Sequence, residues 1–79
     1  MTVEVRVPQW GMGIAEATVV QWVKAVGDHV EEHEPLVELE TAKATDFINA
    51  PASGVLTEIV AAPGMVVPVG EILATIDGE

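Results

Sequence analysis

The side chains in this sequence best suited to chemistry are the amine of Lys43, the imidazoles of His29 and His33, and the hydroxyl of Ser53. Lys43 stands in Glu40-Thr41-Ala42-Lys43-Ala44-Thr45, between the alternating run Val37 to Glu40 and the extendable run Thr45 to Asn49. It is therefore expected at the tip of a tight connection between antiparallel strands. Ala42 and Ala44 leave its amine open to a modifying enzyme, but an ordinary exposed lysine has the same surroundings, and spacing alone does not separate the two readings. A nucleophilic lysine needs burial or a neighbouring cation, and a tip between Glu40 and Asp46 supplies neither, so Schiff-base chemistry is not expected. His29 and His33 have the i, i+4 spacing of a helical zinc pair, but Gly27-Asp28 and Pro35 confine them to a turn, which favours solvated surface over metal. Ser53 and these histidines form no recognisable arrangement of nucleophile, base and orienting acid, which argues against an independent enzyme. With no cysteine, any sulfur chemistry must come from an added group.

The elements that must position Lys43 are short. Seventy-nine residues suit one domain, spanning 1–79, that buries about 60 to 65% of its unfolded surface and has little room for a deep cleft. Apolar residues make up 49% of the chain with Val dominant, and seven Gly and five Pro punctuate it, which points to an all-β fold. A formal net charge of −10 excludes extended contact with nucleic acid phosphates. No apolar run approaches the ~18 to 20 residues of a membrane span, and Glu4 and Arg6 interrupt the start where a signal peptide would be apolar. If Met1 is the natural start, a cytoplasmic location is expected.

Val3, Val5 and Val7 alternate with polar residues and mark a half-buried strand ending at Pro8; Gln9 to Gly13 reads as a loop. Further strands are expected at Thr18 to Lys24, Val37 to Glu40, Thr45 to Asn49, Val55 to Val60 and Ile72 to Ile76. Trp22, inside one of them, is expected in the core. Ala17 to Glu40 also lies over Gly54 to Asp77 at an offset of 37, matching Val23 with Val60, Gly27 with Gly64, Glu34 with Glu71 and Leu36 with Leu73. Two similar halves of about four short strands predict a flattened barrel or sandwich of two four-stranded antiparallel sheets with pseudo-two-fold symmetry. Val7-Pro8 matches Ala50-Pro51 only at an offset of 43, so the first half carries six extra residues between Pro8 and Ala17. Symmetric packing does not require that loop, which makes it a candidate recognition surface. Trp10 within it either packs on the barrel or contacts a partner. Glu31, Glu32 and Glu34 read as a solvated face whose charge steers toward basic partners.

The run VELETAKAT resembles the lipoylation hairpin of 2-oxo acid dehydrogenase complexes, usually centred on Glu-Thr-Asp-Lys-Ala. Gly27 and Gly54 stand where that family also places glycines, and the likeness extends through the Pro51-Ala52-Ser53-Gly54 turn. The resemblance implies two four-stranded sheets, the lysine on a hairpin and both termini at the far end. It implies lipoate in amide linkage to Lys43, attached by a lipoylating enzyme. It further implies a shuttle that takes an acyl group from a thiamin-diphosphate 2-oxo acid or acetoin decarboxylase, delivers it to a coenzyme A acyltransferase, and is reoxidised by dihydrolipoyl dehydrogenase. Partner recognition then falls to Trp10, Met12, Glu40, Ala42 and Ala44. Two departures stand out: Ala42 replaces the family's Asp, and Asp46-Phe47 reverses the apolar-then-acidic order often found after the lysine. The nearest rival, a biotinyl carrier of a carboxylase, usually brackets its lysine with Met, which Ala42 and Ala44 oppose. A non-catalytic lipoyl-like interaction module is a second rival, but it would normally contain a helical hairpin, and no long helical period occurs; a glycine-cleavage carrier would add flanking segments.

Overall fold

The period-two alternation at the N-terminus becomes β1, Thr2–Arg6, in a computed structural model that describes all 79 residues. Seven more strands follow: β2 Glu16–Trp22, β3 His29–Val30, β4 Pro35–Glu40, β5 Thr45–Asn49, β6 Gly54–Ile59, β7 Val66–Pro68 and β8 Ile72–Gly78. They form two antiparallel four-stranded sheets, ordered β1-β8-β6-β3 and β5-β4-β2-β7. The all-β, two-sheet fold expected from the repeat is the fold observed.

The repeat is a symmetry of the backbone. Adding 43 to β1 gives β5, adding 37 to β2, β3 and β4 gives β6, β7 and β8, and the same substitution turns the order of one sheet into that of the other. Irregularities obey it as well. The β2–β4 register shifts between Val19 and Gln21 and the β6–β8 register between Leu56 and Glu58. Leu36 and Leu73 are equivalent extra residues in β4 and β8, each turned wholly into the interior. The two tight turns share their bonds, since Gly27 N–H donates to the Leu56 carbonyl and Gly64 N–H to that of Val19, both at 2.8 Å. Both glycines have a positive φ, 97° and 92°, which a Cβ would strain.

Sixteen apolar residues make up the buried core and no polar side chain joins them. Alternate positions supply much of it, as in Val5 and Val7, Ala17 and Val19, Val37 and Leu39, and Ala74 and Ile76, with the extra residues Leu36 and Leu73 added. Complete burial of a leucine such as Leu36 or Leu73 stabilises by roughly 1.5–3 kcal/mol.

Some boundaries differ from expectation. β2 spans Glu16–Trp22 and not Thr18 to Lys24, because Val23 N–H turns to the Leu36 carbonyl and Lys24 leaves the ladder for an ion pair with Glu34. β4 starts at Pro35, a strand-opening position where its missing N–H costs nothing. β8 continues past Ile76 to Gly78. The stretch read as a turn around His29 includes the two-residue strand β3, paired with Val55 and Gly54 of β6.

Candidate functional site

β4 and β5 pair from Pro35–Asn49 to Glu40–Thr45 with Leu36 bulged out of the register, and the connection between them is Thr41-Ala42-Lys43-Ala44. Thr41 holds this turn. Its N–H donates to the Ala44 carbonyl at 2.8 Å, and its hydroxyl oxygen accepts from the N–H groups of Lys43 and Ala44, each at 3.3 Å. The same hydroxyl lies 3.2 Å from the Ala44 carbonyl oxygen, to which it donates. A short polar side chain satisfying the backbone of the next residues is the usual means of fixing a tight turn. Ala42, Lys43 and Ala44 are all exposed.

Of the three basic side chains, Lys43 alone has no hydrogen-bond or ion-pair partner. Arg6 binds Glu4 Oε1 at 2.7 Å and the Gly70 carbonyl at 2.6 Å, while Lys24 Nζ lies 2.9 Å from Glu34 Oε2. The Glu34 contact raises the Lys24 pKa above its ordinary value. Lys43 is thus the one amine both presented on a rigid turn and free of a carboxylate.

The extra loop of the first half reaches the hairpin. Gly13, Ile14, Ala15 and Glu16 face Glu40, Thr41, Ala42 and Lys43 across a groove of about 490 Å³. Gln9 staples the loop, its side-chain amide donating to the carbonyls of Gly11 at 2.6 Å and Ile14 at 3.1 Å. Val69 N–H bonds the Ala15 carbonyl at 2.9 Å and ties the loop's end to β7.

The structure divides the residues expected to meet a partner. Glu40 and Ala42 line the groove with Lys43, whereas Ala44 is exposed but does not line it. Met12 is 92% exposed at the loop tip. Trp10 is partly buried against the core and lines a different groove, between β1 and β5, with Pro8, Phe47 and Pro51. Trp10 thus packs on the barrel while still lining an open groove. Phe47 stands half-exposed on the edge strand β5, and Asp46 Oδ1 accepts the Phe47 N–H at 2.8 Å. Trp22 is partly buried against the core, with its indole N–H on the Ala61 carbonyl at 2.7 Å.

Thr41 and Gln9 were not singled out from sequence. Thr41 had a signal, a hydroxyl residue opening a tight turn; the bonds from Gln9 depend on a loop path that no periodicity encodes.

His29 and His33 face different acids. His29 bonds Glu79 through Nε2 and lies 3.8 Å from Glu31 through Nδ1, and His33 Nε2 is 3.7 Å from Glu32. The hydrogen bond to Glu79 raises the His29 pKa; desolvation opposes it, and the charges of Glu79, Glu31 and Glu34 each add a smaller upward contribution.

Comparison with known proteins places this geometry. A family profile described as "Biotin-requiring enzyme" matches residues 3–76. The chain is 46% identical over 77 residues to the dihydrolipoyllysine-residue succinyltransferase component of the 2-oxoglutarate dehydrogenase complex of Bartonella vinsonii, covering 98% of this chain and 19% of that one. It is 47% identical over 73 residues to the same component of Bacillus subtilis, covering 92% and 18%. With the dihydrolipoyllysine-residue acetyltransferase component of the pyruvate dehydrogenase complex of Corynebacterium glutamicum it shares 42% over 73 residues, covering 92% and 11%. The chain spans less than a fifth of the length of these relatives. The solution structure of the lipoyl domain of the 2-oxoglutarate dehydrogenase complex from Azotobacter vinelandii superposes with a TM-score of 0.78 at 35% identity, covering 98% of this chain and 99% of that one. The urea carboxylase of Kluyveromyces lactis superposes at 0.82 with 25% identity, covering 96% and 6%.

Proposed function

The chain belongs to the biotin/lipoyl domain family as a lipoyl domain like those of 2-oxo acid dehydrogenase acyltransferases, and from that premise we propose that it is a covalent carrier with lipoate in amide linkage to Lys43. One observation carries the assignment: Lys43 is the only basic side chain without a partner, and it sits on the hairpin turn held by Thr41. Amide formation needs an accessible amine and no pocket, and this position supplies that. When attached, lipoate provides a redox-active disulfide and an acyl-accepting sulfur, which a chain without cysteine lacks.

The protein's own part is presentation. The β4–β5 ladder fixes the base of the hairpin, Thr41 fixes its tip, and the alanines beside Lys43 add no bulk against an approaching active site. The partners would be a lipoylating enzyme, a thiamin-diphosphate decarboxylase, a coenzyme A acyltransferase domain and dihydrolipoyl dehydrogenase. A short flexible link to a larger assembly would hold the carrier at roughly millimolar effective concentration near each site. The Gln9–Glu16 loop supports a role in choosing the decarboxylase, since its end shares a groove with Glu40, Ala42 and Lys43. Met12 is then the apolar contact free to act, while Trp10 shapes the loop from beneath.

Intact mass and peptide mapping of protein from its native host test the assignment. Lipoyl mass at Lys43 is expected. Biotinyl mass, modification at Lys24, or an unmodified chain would overturn it.

A further inference from the structure

The pseudo-two-fold axis places Ala61 where the first half has Lys24, Glu71 where it has Glu34, and Pro68 where it has Glu31. In the first half the Glu34 carboxylate is doubly held. Glu31 N–H donates to its Oε1 at 3.0 Å and Lys24 Nζ meets its Oε2 at 2.9 Å, and these contacts lower the Glu34 pKa, the backbone bond most. In the second half neither partner can exist, because Pro68 has no N–H and Ala61 ends at its Cβ. The nearest cation by sequence pairing, Arg6, is committed to Glu4 and to the Gly70 carbonyl. Glu71 therefore has no side-chain hydrogen bond or ion pair.

A groove takes the place of the missing side chain. Val60, Ala61, Met65, Val66, Pro68 and Ile72 line most of it together with Glu71, and its volume is about 240 Å³. Val60, Met65 and Val66 are 45–52% exposed there, whereas the first half has Asp28 and His29 in place of Met65 and Val66. A half-exposed apolar trough ending in one unpaired carboxylate suits a long aliphatic stem with a cationic head.

We propose that this groove is a docking site for a single lysine or arginine side chain flanked by apolar residues on a partner protein, held as Lys24 is held within the first half. The stem lies along Val60, Met65 and Val66, and the cation meets Glu71. The net charge of −10 favours such a basic segment at long range. Pro68 removes a donor from the edge strand β7, so recognition is by side chains rather than strand addition. The groove opens beside β7, which pairs with β2 at Glu16–Thr18, and shares no lining residue with the Lys43 groove.

The test is a titration of the ¹⁵N-labelled domain with the peptide acetyl-Leu-Lys-Leu-amide, read by amide chemical shifts. Saturable shifts are expected at Ala61, Met65, Val66 and Glu71, to be lost with acetyl-Leu-Gln-Leu-amide and lost in Glu71→Gln, an exposed change that spares the core. Ala61→Lys should fill the groove from within and abolish the shifts. If Ala61→Lys does not fold, Glu71→Gln decides. Absence of saturable shifts, equal binding of the two peptides, unchanged binding by Glu71→Gln, or shifts spread over the Glu31–Glu34 face would each overturn the proposal.

Discussion

The two halves of this domain have one backbone and two surfaces. Where the second half ends, β6 and β8 run together through Gly54–Gly78, and the Gly78 N–H reaches the Met1 carbonyl at 2.6 Å. At the equivalent place in the first half, Ala17 and Thr41 are not paired; the β2–β4 ladder stops at Thr18–Glu40 and the chain opens into the Lys43 turn and the inserted loop. The contrast teaches that symmetry builds the scaffold and that departures from it build the site. Hairpin, loop and groove all fall where the halves disagree.

The largest expected effect breaks the comparison at the hairpin. Lys43→Ala should abolish lipoylation and acyl loading while shifting stability by less than about 0.5 kcal/mol, because the tip is exposed. Lys24→Ala should leave modification intact. Intact mass and melting curves on both variants check this, and a large fall in melting temperature for Lys43→Ala would show that the lysine is structural.

Next comes the closed end. A Cβ on Gly54 would stand 2.2 Å from the Asp77 carbonyl oxygen and 2.9 Å from Ile76 Cγ2, so the strands must part. Gly54→Ala should cost about 1–3 kcal/mol. Ala17 already occupies the equivalent position without such a neighbour, and Ala17→Gly should cost only about 0.5–1 kcal/mol. Denaturant unfolding of the pair measures the asymmetry; equal losses would erase it.

A smaller effect lies at His33 and Gly70, equivalent residues at φ 74° and 89° whose N–H groups bond the Ala50 and Val7 carbonyls. Only the histidine is strained by its Cβ. His33→Gly should therefore stabilise by under about 1 kcal/mol, the relief of strain being partly offset by a more flexible unfolded chain. A measured loss of stability would mean that the exposed imidazole contributes more than its backbone costs.

The smallest effect concerns His29, which has Val66 as its counterpart. Its pKa is raised above 6.5 on folding, chiefly by Glu79, so its contribution is complete below 6.5 and disappears as pH rises through the raised value. The melting temperature of wild type should fall slightly over that interval and that of His29→Gln should not. The pair is exposed and screened, so the difference should shrink in salt. Parallel pH profiles would remove the interaction.

The parts legible in the sequence were those governed by local periodicity or by repetition. Val3, Val5 and Val7 gave β1 because alternation is a property of one strand, and the offset of 37 gave two equivalent halves and two four-stranded sheets, though not the strand order, because it compares like with like. The place of Lys43 on a turn was legible because its flanking strands announced one, whereas its role was implied only by the family resemblance. β3 and β7, two and three residues long, are too short for any period to register. The end of β2 was misplaced because Lys24 answers to Glu34, a contact set by the fold. Trp10 and Met12 could not be separated in sequence: both are large apolar residues in one glycine-rich loop, and only the loop's path sends one inward and the other to solvent.

The interleaving of the sheets also has a bearing on synthesis. Each sheet draws two strands from either half, and the pairing of Thr2 with Asp77 joins the first strand to the last. An emerging chain must therefore keep β1 waiting, unpaired, until β8 has left the ribosome. Contacts so distant along the chain slow folding, because a long loop must close before they form. A ribosome-bound chain stalled with β8 still in the exit tunnel should thus be protease-sensitive throughout, and protection should arise in one step once Gly78 is clear.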